Sequence, residues 1–205
     1  MLKDEYFFTS FFYNWIVEPH LRGIKRYTAK ICKERGVRIV ADICCGTGTQ
    51  CYLLAANDIK CVGIDLSPGM LKIANKKRPH NTWFIRMDSG NLAFKNNKFD
   101  AAIISFALHE KSYSVRQKIA KETKRIVKRG GIVLVADYLV ETESGIPDWK
   151  TRFVEFMAGQ EHFRCFTDFC ERGGLAGVAN LFGLQGKVLE TFRNNSWGLL
   201  LLENS

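Results

Sequence analysis

Along the chain, short continuous apolar runs alternate with stretches whose apolar residues recur at helical spacing. "VRIVADICC" (37–45) is β-branched and leads into glycines, and "TQCYLLAAN" (49–57) behind it has helical character. "KCVGID" (60–65) predicts a second strand and "SPGMLKIANKK" (67–77) a helix, with Ser67 as its cap and Pro68 in its first position. "TWFIRMD" (82–88) predicts a third strand. "FDAAIISFAL" (99–108) predicts a fourth, apolar on both faces as a buried parallel strand is. An amphipathic helix ending in two glycines follows over 114–131, then a fifth strand, "IVLVADYL" (132–139). Upstream, residues 4–35 are aromatic and then regularly basic, which predicts two helices divided near Pro19.

Strands that alternate with helices predict an α/β fold with a mostly parallel sheet and right-handed crossovers. Beyond residue 140 the pattern is mainly helical over 148–183, interrupted by "RGGLAG". "GKVLETF" and "SWGLLLLE", joined by "RNN", predict an antiparallel closing hairpin and bring the sheet to seven strands. The expected architecture is a doubly wound, Rossmann-like sheet in one domain over 1–205. It comprises N-terminal helices (1–36), a core (37–140), and a helical insert with closing strands (141–205).

Composition narrows this little. The 205 residues suit one domain, with 46% hydrophobic and 25% charged residues. Early charges at Lys3, Asp4 and Glu5 argue against a secretory leader, and no apolar run is long enough to span a bilayer, so a cytoplasmic protein is expected. The net charge of +9 is spread over clusters at 22–38, 72–78 and 116–129 that read as solvated helix faces. The seven cysteines, at 32, 44, 45, 51, 61, 165 and 170, contain no C-x-x-C hook. They are expected to be free thiols, with no metal bound through them.

A strand running through a glycine turn into a helix presents backbone N–H groups to a ligand at the sheet's carboxyl edge. Gly46 and Gly48 stand there, but Cys51 occupies the third glycine position of a dinucleotide fingerprint, and the phosphate-loop pattern is absent. Acidic residues end three successive strands: Asp42, Asp65 and Asp88. Any one could be a turn residue, whereas together they point to a ligand with ribose hydroxyls.

"VADICCGTGT", "VGIDLSPGML", "MDSGNLAFKNNKFDAAIISFALHE" and "IVKRGGIVLV" resemble, in order and spacing, the signature segments of class I S-adenosylmethionine-dependent methyltransferases. The nearest type is that of the small-molecule enzymes of ubiquinone and menaquinone biosynthesis. The resemblance implies that Asp42 holds the methionine end of the cofactor and that Gly46 and Gly48 let the turn approach it. It also implies ribose binding by Asp65, packing of Leu66 and Met70 around the adenosine, and adenine contacts from Asp88 and the backbone of Ser89. Ser105 would open towards the methyl group. Cys44, standing where the family most often has glycine, would line the turn near the methionine moiety.

In-line displacement of the methyl group asks the protein mainly for positioning and exclusion of water. His109, with Glu110 beside it, is the candidate base should the acceptor need to lose a proton, although a histidine there could equally orient backbone. The aromatic segment "YFFTSFFYNW" would form a helical lid, from which Tyr6 and Tyr13 could face substrate. After the fourth strand stand Ser105, Phe106, Ala107 and Leu108, without the N-P-P-[YF] motif of many amino-methylating enzymes and without cysteine. A small-molecule acceptor of aromatic, quinone-like or lipid-like kind is therefore expected. A nucleic-acid methyltransferase using the basic surface, or a non-catalytic cofactor-binding subunit, are the alternatives. Peripheral membrane contact and oligomeric state stay open.

Overall fold

The computed structural model describes residues 21–140, 155–156 and 159–205. A helix over 21–34 (α1) leads into β1 (Ile39–Ile43), α2 (Thr49–Ala55), β2 (Lys60–Asp65), α3 (Pro68–Asn75) and β3 (Thr82–Arg86). Then come β4 (Phe99–Ser105), α4 (Tyr113–Ile126), β5 (Val127–Tyr138), α5 (Gln160–Glu171), α6 (Gly174–Phe182), β6 (Gly186–Phe192) and β7 (Trp197–Asn204). The expected lid with Tyr6 and Tyr13 lies outside the described residues.

The strands form one seven-stranded sheet in the order β3-β2-β1-β4-β5-β7-β6. The first five are parallel, and β7 runs antiparallel to both β5 and β6. The order reverses between β1 and β4, so connections leave these neighbours in opposite directions and open a crevice at their carboxyl ends. Burial follows from sequence: β4 is apolar on both faces because helices cover both, and Ala101 to Ile104 are fully buried. In β7, Leu199 to Leu202 are buried in the same way, between two partners.

The closing hairpin turns at "RNN", where Arg193, Asn194 and Asn195 all adopt positive φ (51°, 51° and 63°). The Thr191 hydroxyl meets the Asn195 side-chain oxygen at 2.6 Å across the turn. In the helical region after residue 158, α5 stops at Glu171, and Arg172 and Gly173 form the break before α6.

One boundary departs from expectation. The glycines at 130 and 131 do not end α4; the helix stops at Ile126, and β5 already runs through "VKRGG". Val127 pairs with Phe99, and a register shift follows before Ala101 pairs with Ile132. Gly130 takes φ 74°, and a Cβ on Gly131 would sit 2.6 Å from the Asp100 carbonyl oxygen. The glycines thus accommodate a bulge within the strand. The Asn204 amide donates to the carbonyls of Lys124, Val127 and Lys128, satisfying acceptors that the end of α4 leaves open.

Candidate functional site

The turn after β1 is built from left-handed residues: Cys44 at φ 58°, Gly46 at 53° and Gly48 at 78°. Gly48 is required twice over, by its φ and because a Cβ there would lie 2.5 Å from Phe84 Cζ. Cys44 adopts the left-handed region with a side chain attached, which costs about 1–2 kcal/mol. The Cys45 N–H donates to the Ile64 carbonyl at 2.9 Å and ties the turn to β2.

Neither thiol is poised for chemistry. Burial pushes the Cys44 thiol up to about 11, and nearby Lys111 opposes that only in part. Burial, then the carboxylates of Asp42 and Asp65, raise Cys45. The Cys44 sulfur lies 3.7 Å from the Ser89 hydroxyl and so links the turn to the loop after β3. All seven cysteines are free thiols. Below the turn, the Cys51 thiol donates to Asp42 at 3.4 Å, and the Cys51 and Cys61 sulfurs approach to 2.7 Å.

Asp65 ends β2 with both carboxylate oxygens engaged. One accepts the Gly46 N–H at 2.8 Å, and the other accepts the Ser67 N–H at 2.9 Å. Burial raises its carboxyl above the ordinary range, and these two N–H groups oppose the rise. The Ser67 hydroxyl in turn accepts from Met70 N at 3.3 Å, the cap expected from sequence, and Met70 itself is buried. Leu66, by contrast, is 56% exposed beside the turn. Asp88 lies just past β3 and accepts the Gly90 N–H at 2.8 Å, and Ser89 is buried. Asp42 is buried at the end of β1, between β2 and β4. The carboxyl ends of β1, β2 and β3 therefore bring Asp42, Asp65 and Asp88 to one edge of the sheet.

At the end of β4, the Ser105 hydroxyl is buried and makes no hydrogen bond among the described residues. Phe106 follows at φ 51°, its N–H donating to the Ala136 carbonyl and its ring edge-on to Trp197 at 5.0 Å. His109 is 1% exposed. Its Nδ1 donates to Asp137 Oδ1 at 2.7 Å, and its Nε2 stands 3.9 Å from Glu155 Oε2. Asp137 is itself anchored by the N–H groups of Leu108 (3.2 Å) and Tyr138 (2.9 Å). Burial alone would depress the imidazole, but Asp137 outweighs it, with Glu155 and Glu110 adding to the effect, and raises His109 to about 9. Glu155 is held down at about 2: burial would raise it, but His162, His109 and the Tyr138 hydroxyl together prevail.

The sequence reading singled out His109 and missed Asp137, Glu155 and His162. Asp137 carried a usable signal, as a further aspartate in the last apolar run of the parallel series, "IVLVADYL". Glu155 and His162 carried none, since they stand in a stretch without a clear motif. Tyr13 lies outside the described residues.

The family profile described as "Methyltransferase domain" matches residues 40–131, the stretch that carries β1 to β4 and the glycine turn. A demethylmenaquinone methyltransferase of Paenarthrobacter aurescens is 34% identical over 118 residues, 58% of this chain and 44% of that protein. The chain thus spans about half the length of that relative. A demethylmenaquinone methyltransferase of Listeria monocytogenes is 28% identical over 194 residues, covering 85% of this chain and 80% of that protein. Among solved structures, an O-methyltransferase family protein of Burkholderia thailandensis shares the fold with a TM-score of 0.75 at 16% identity, covering 94% of this chain and 58% of that one. Sheet order, glycine turn and acidic strand ends define the class I methyltransferase fold. Residues 40–131 carry a methyltransferase domain, and the chain is similar to the S-adenosylmethionine-dependent methyltransferases of the ubiquinone/menaquinone-biosynthesis type.

Proposed function

We infer that the chain transfers a methyl group from S-adenosylmethionine to a small-molecule acceptor, and that the acceptor is a quinone-like aromatic compound. The observation that carries the cofactor half is the convergence of Asp42, Asp65 and Asp88 on one sheet edge around a left-handed glycine turn. The residues fit the group. At Gly46 a Cβ would meet no protein atom within 4 Å, so the turn is open there, and Leu66 offers an exposed apolar face beside Asp65. Each carboxylate oxygen of Asp65 accepts one backbone N–H and keeps a lone pair for a ribose hydroxyl.

In this reading Asp42, Cys44, Gly46 and Gly48 surround the methionine end, Asp65 holds the ribose, and Leu66 and Met70 pack on the adenosine. Asp88 and the backbone of Ser89 address the adenine. Bound there, the cofactor supplies a sulfonium-activated methyl group with a neutral thioether as leaving group. The chain's own task is to fix the acceptor in line and keep water away. Ser105 would meet that task with a hydroxyl that has no hydrogen-bond partner among the described residues. His109 belongs to the acceptor side and is oriented by Asp137; to act as a base it must first release the proton that Asp137 stabilises.

The acceptor class is supported by the names of the relatives, which makes a demethylated naphthoquinol the first compound to try. The test is incubation with methyl-labelled cofactor and that quinol, beside a fractionated small-molecule extract. Calorimetry with S-adenosylmethionine, its demethylated product and NAD accompanies it. Label in a quinone or another small molecule supports the reading. Binding of NAD and not of the methyl donor overturns it.

A further inference from the structure

We propose that His109, Glu155 and His162 form a binding site for one divalent transition-metal ion, of the kind zinc and cobalt represent. Their ligand atoms, one from each residue, all lie within 4.8 Å of one another. A tetrahedral ion about 2.0–2.1 Å from each ligand wants ligand atoms about 3.3 Å apart, so small side-chain adjustments close the site. His109 Nε2 stands 3.9 Å from Glu155 Oε2, and His162 Nε2 contacts the same carboxylate oxygen. The side chains of His109 and Glu155 are 2% and 0% exposed, and that of His162 is 14% exposed.

The surroundings of these atoms make a built site out of proximity. Metal-binding histidines hold their other ring nitrogen on a carboxylate or carbonyl, which fixes tautomer and orientation. His109 does this through Asp137, at 2.7 Å, leaving Nε2 for the ion. His162 Nδ1 lies 3.9 Å from Glu110 Oε2. Glu155 keeps Oε2 towards the histidines while Oε1 accepts the Tyr138 hydroxyl at 2.7 Å. His109 and Glu155 are thus each held by a hydrogen-bonded partner, and Glu110 stands near His162. Asp137 and Glu155 also supply two formal negative charges to set against a divalent cation. Two imidazoles and one carboxylate suit zinc, cobalt or nickel and not magnesium, which prefers oxygen. Three protein ligands leave a fourth position for an oxygen ligand, the pattern of catalytic rather than structural zinc sites. With the ion bound, His109 Nε2 serves as a ligand and not as a base.

A second group, Asp42 with Cys51 and Cys61, also brings ligand atoms together, but burial raises both thiols and so disfavours the thiolate that a metal needs. It serves as the control. The experiment uses the full chain, stripped with a chelator and titrated with Co²⁺ and then Zn²⁺, without cofactor or acceptor, so that its outcome is independent of the methyl-transfer reading. The wild type should take up one Co²⁺ per chain with the visible bands of a nitrogen–oxygen site and no sulfur-to-metal charge transfer. Zn²⁺ should displace it and raise the melting temperature. His162→Gln should abolish tight binding, and Asp137→Asn should weaken it by about 10–100-fold. Circular dichroism of each variant establishes that it is folded. Failure of the wild type to bind, unchanged binding in folded His162→Gln, or a thiolate band lost with Cys51→Ser and Cys61→Ser would each overturn the proposal.

Discussion

Asp65 accepts the backbone N–H of Gly46 at 2.8 Å, so the residue expected to read the ribose also braces the turn that would receive the methionine. On the proposed reading, one carboxylate serves both. Asp65→Ala should weaken S-adenosylmethionine by about 1–3 kcal/mol, the worth of hydrogen bonds to a charged group. Because the Gly46 and Ser67 N–H groups lose their acceptor, some melting temperature should be lost as well. Calorimetry and thermal melts separate the two effects, and a drop in stability with unchanged affinity would make Asp65 purely structural.

Cys44 bears the cost of a left-handed backbone that glycine would not. Cys44→Gly should therefore stabilise the chain by about 1 kcal/mol, less any contribution from the Ser89 contact. Cys44→Ala should give no such gain, since it keeps the Cβ. Denaturant melts of both variants decide this, and a Gly variant weaker than wild type would show that the sulfur contact outweighs the strain.

Alkaline pH should destabilise the fold. Burial, then Cys61 and Asp42, push the Cys32 thiol up to about 12 from an ordinary value of 9.0. Between those values the unfolded chain ionises this group while the folded one keeps its proton. The unfolded state then binds fewer protons, and stability falls as pH rises. The loss is at most about 1.4 kcal/mol per pH unit from one such thiol. Cys32→Ala should flatten that part of the stability profile above pH 9 in urea melts. An unchanged slope would place the sensitivity elsewhere.

Arg116, 2% exposed, fastens α4 to α5. Its Nε donates to the Lys111 carbonyl at 2.8 Å, its terminal nitrogen pairs with Asp168, and its guanidinium lies 5.5 Å from the Phe169 ring centre. Arg116→Ala should cost about 1–3 kcal/mol, because Asp168 is partly exposed and keeps Arg172 as a partner. Arg116→Met, which fills the same space, should cost less. Equal losses in chemical denaturation would mean that charge, and not packing, dominates.

Much of this molecule was legible in its hydrophobic pattern, because buried parallel strands are apolar throughout and the helices between them are not. The succession of strands and helices, the closing hairpin and the Ser67 cap follow from signals only a few residues long. The start of β5 did not, since "VKRGG" looks like a helix end until pairing of Val127 with Phe99 makes it strand. The acidic strand ends were legible for the same local reason: each terminates a recognisable run. The cage around His109 was not. Its members come from β4's following loop, from β5 and from the region around residues 155–162, and only tertiary packing sets them side by side.

The place of β7 in the sheet has a consequence for synthesis. β5 pairs with β7 from Gly131–Asn204 to Tyr138–Trp197, so an interior strand of the finished sheet is translated only after the six others. Until residues 197–204 leave the ribosome, β5 presents an apolar edge with its N–H and C=O groups unpaired, the feature that invites strand addition by another chain. The nascent chain can assemble its cofactor edge from β1 to β4 early, but it cannot close its flank. Nascent chains stalled between residues 140 and 196 should therefore be the aggregation-prone species and the ones that chaperones retain, and release should coincide with the insertion of Trp197 against Tyr138 and Phe106.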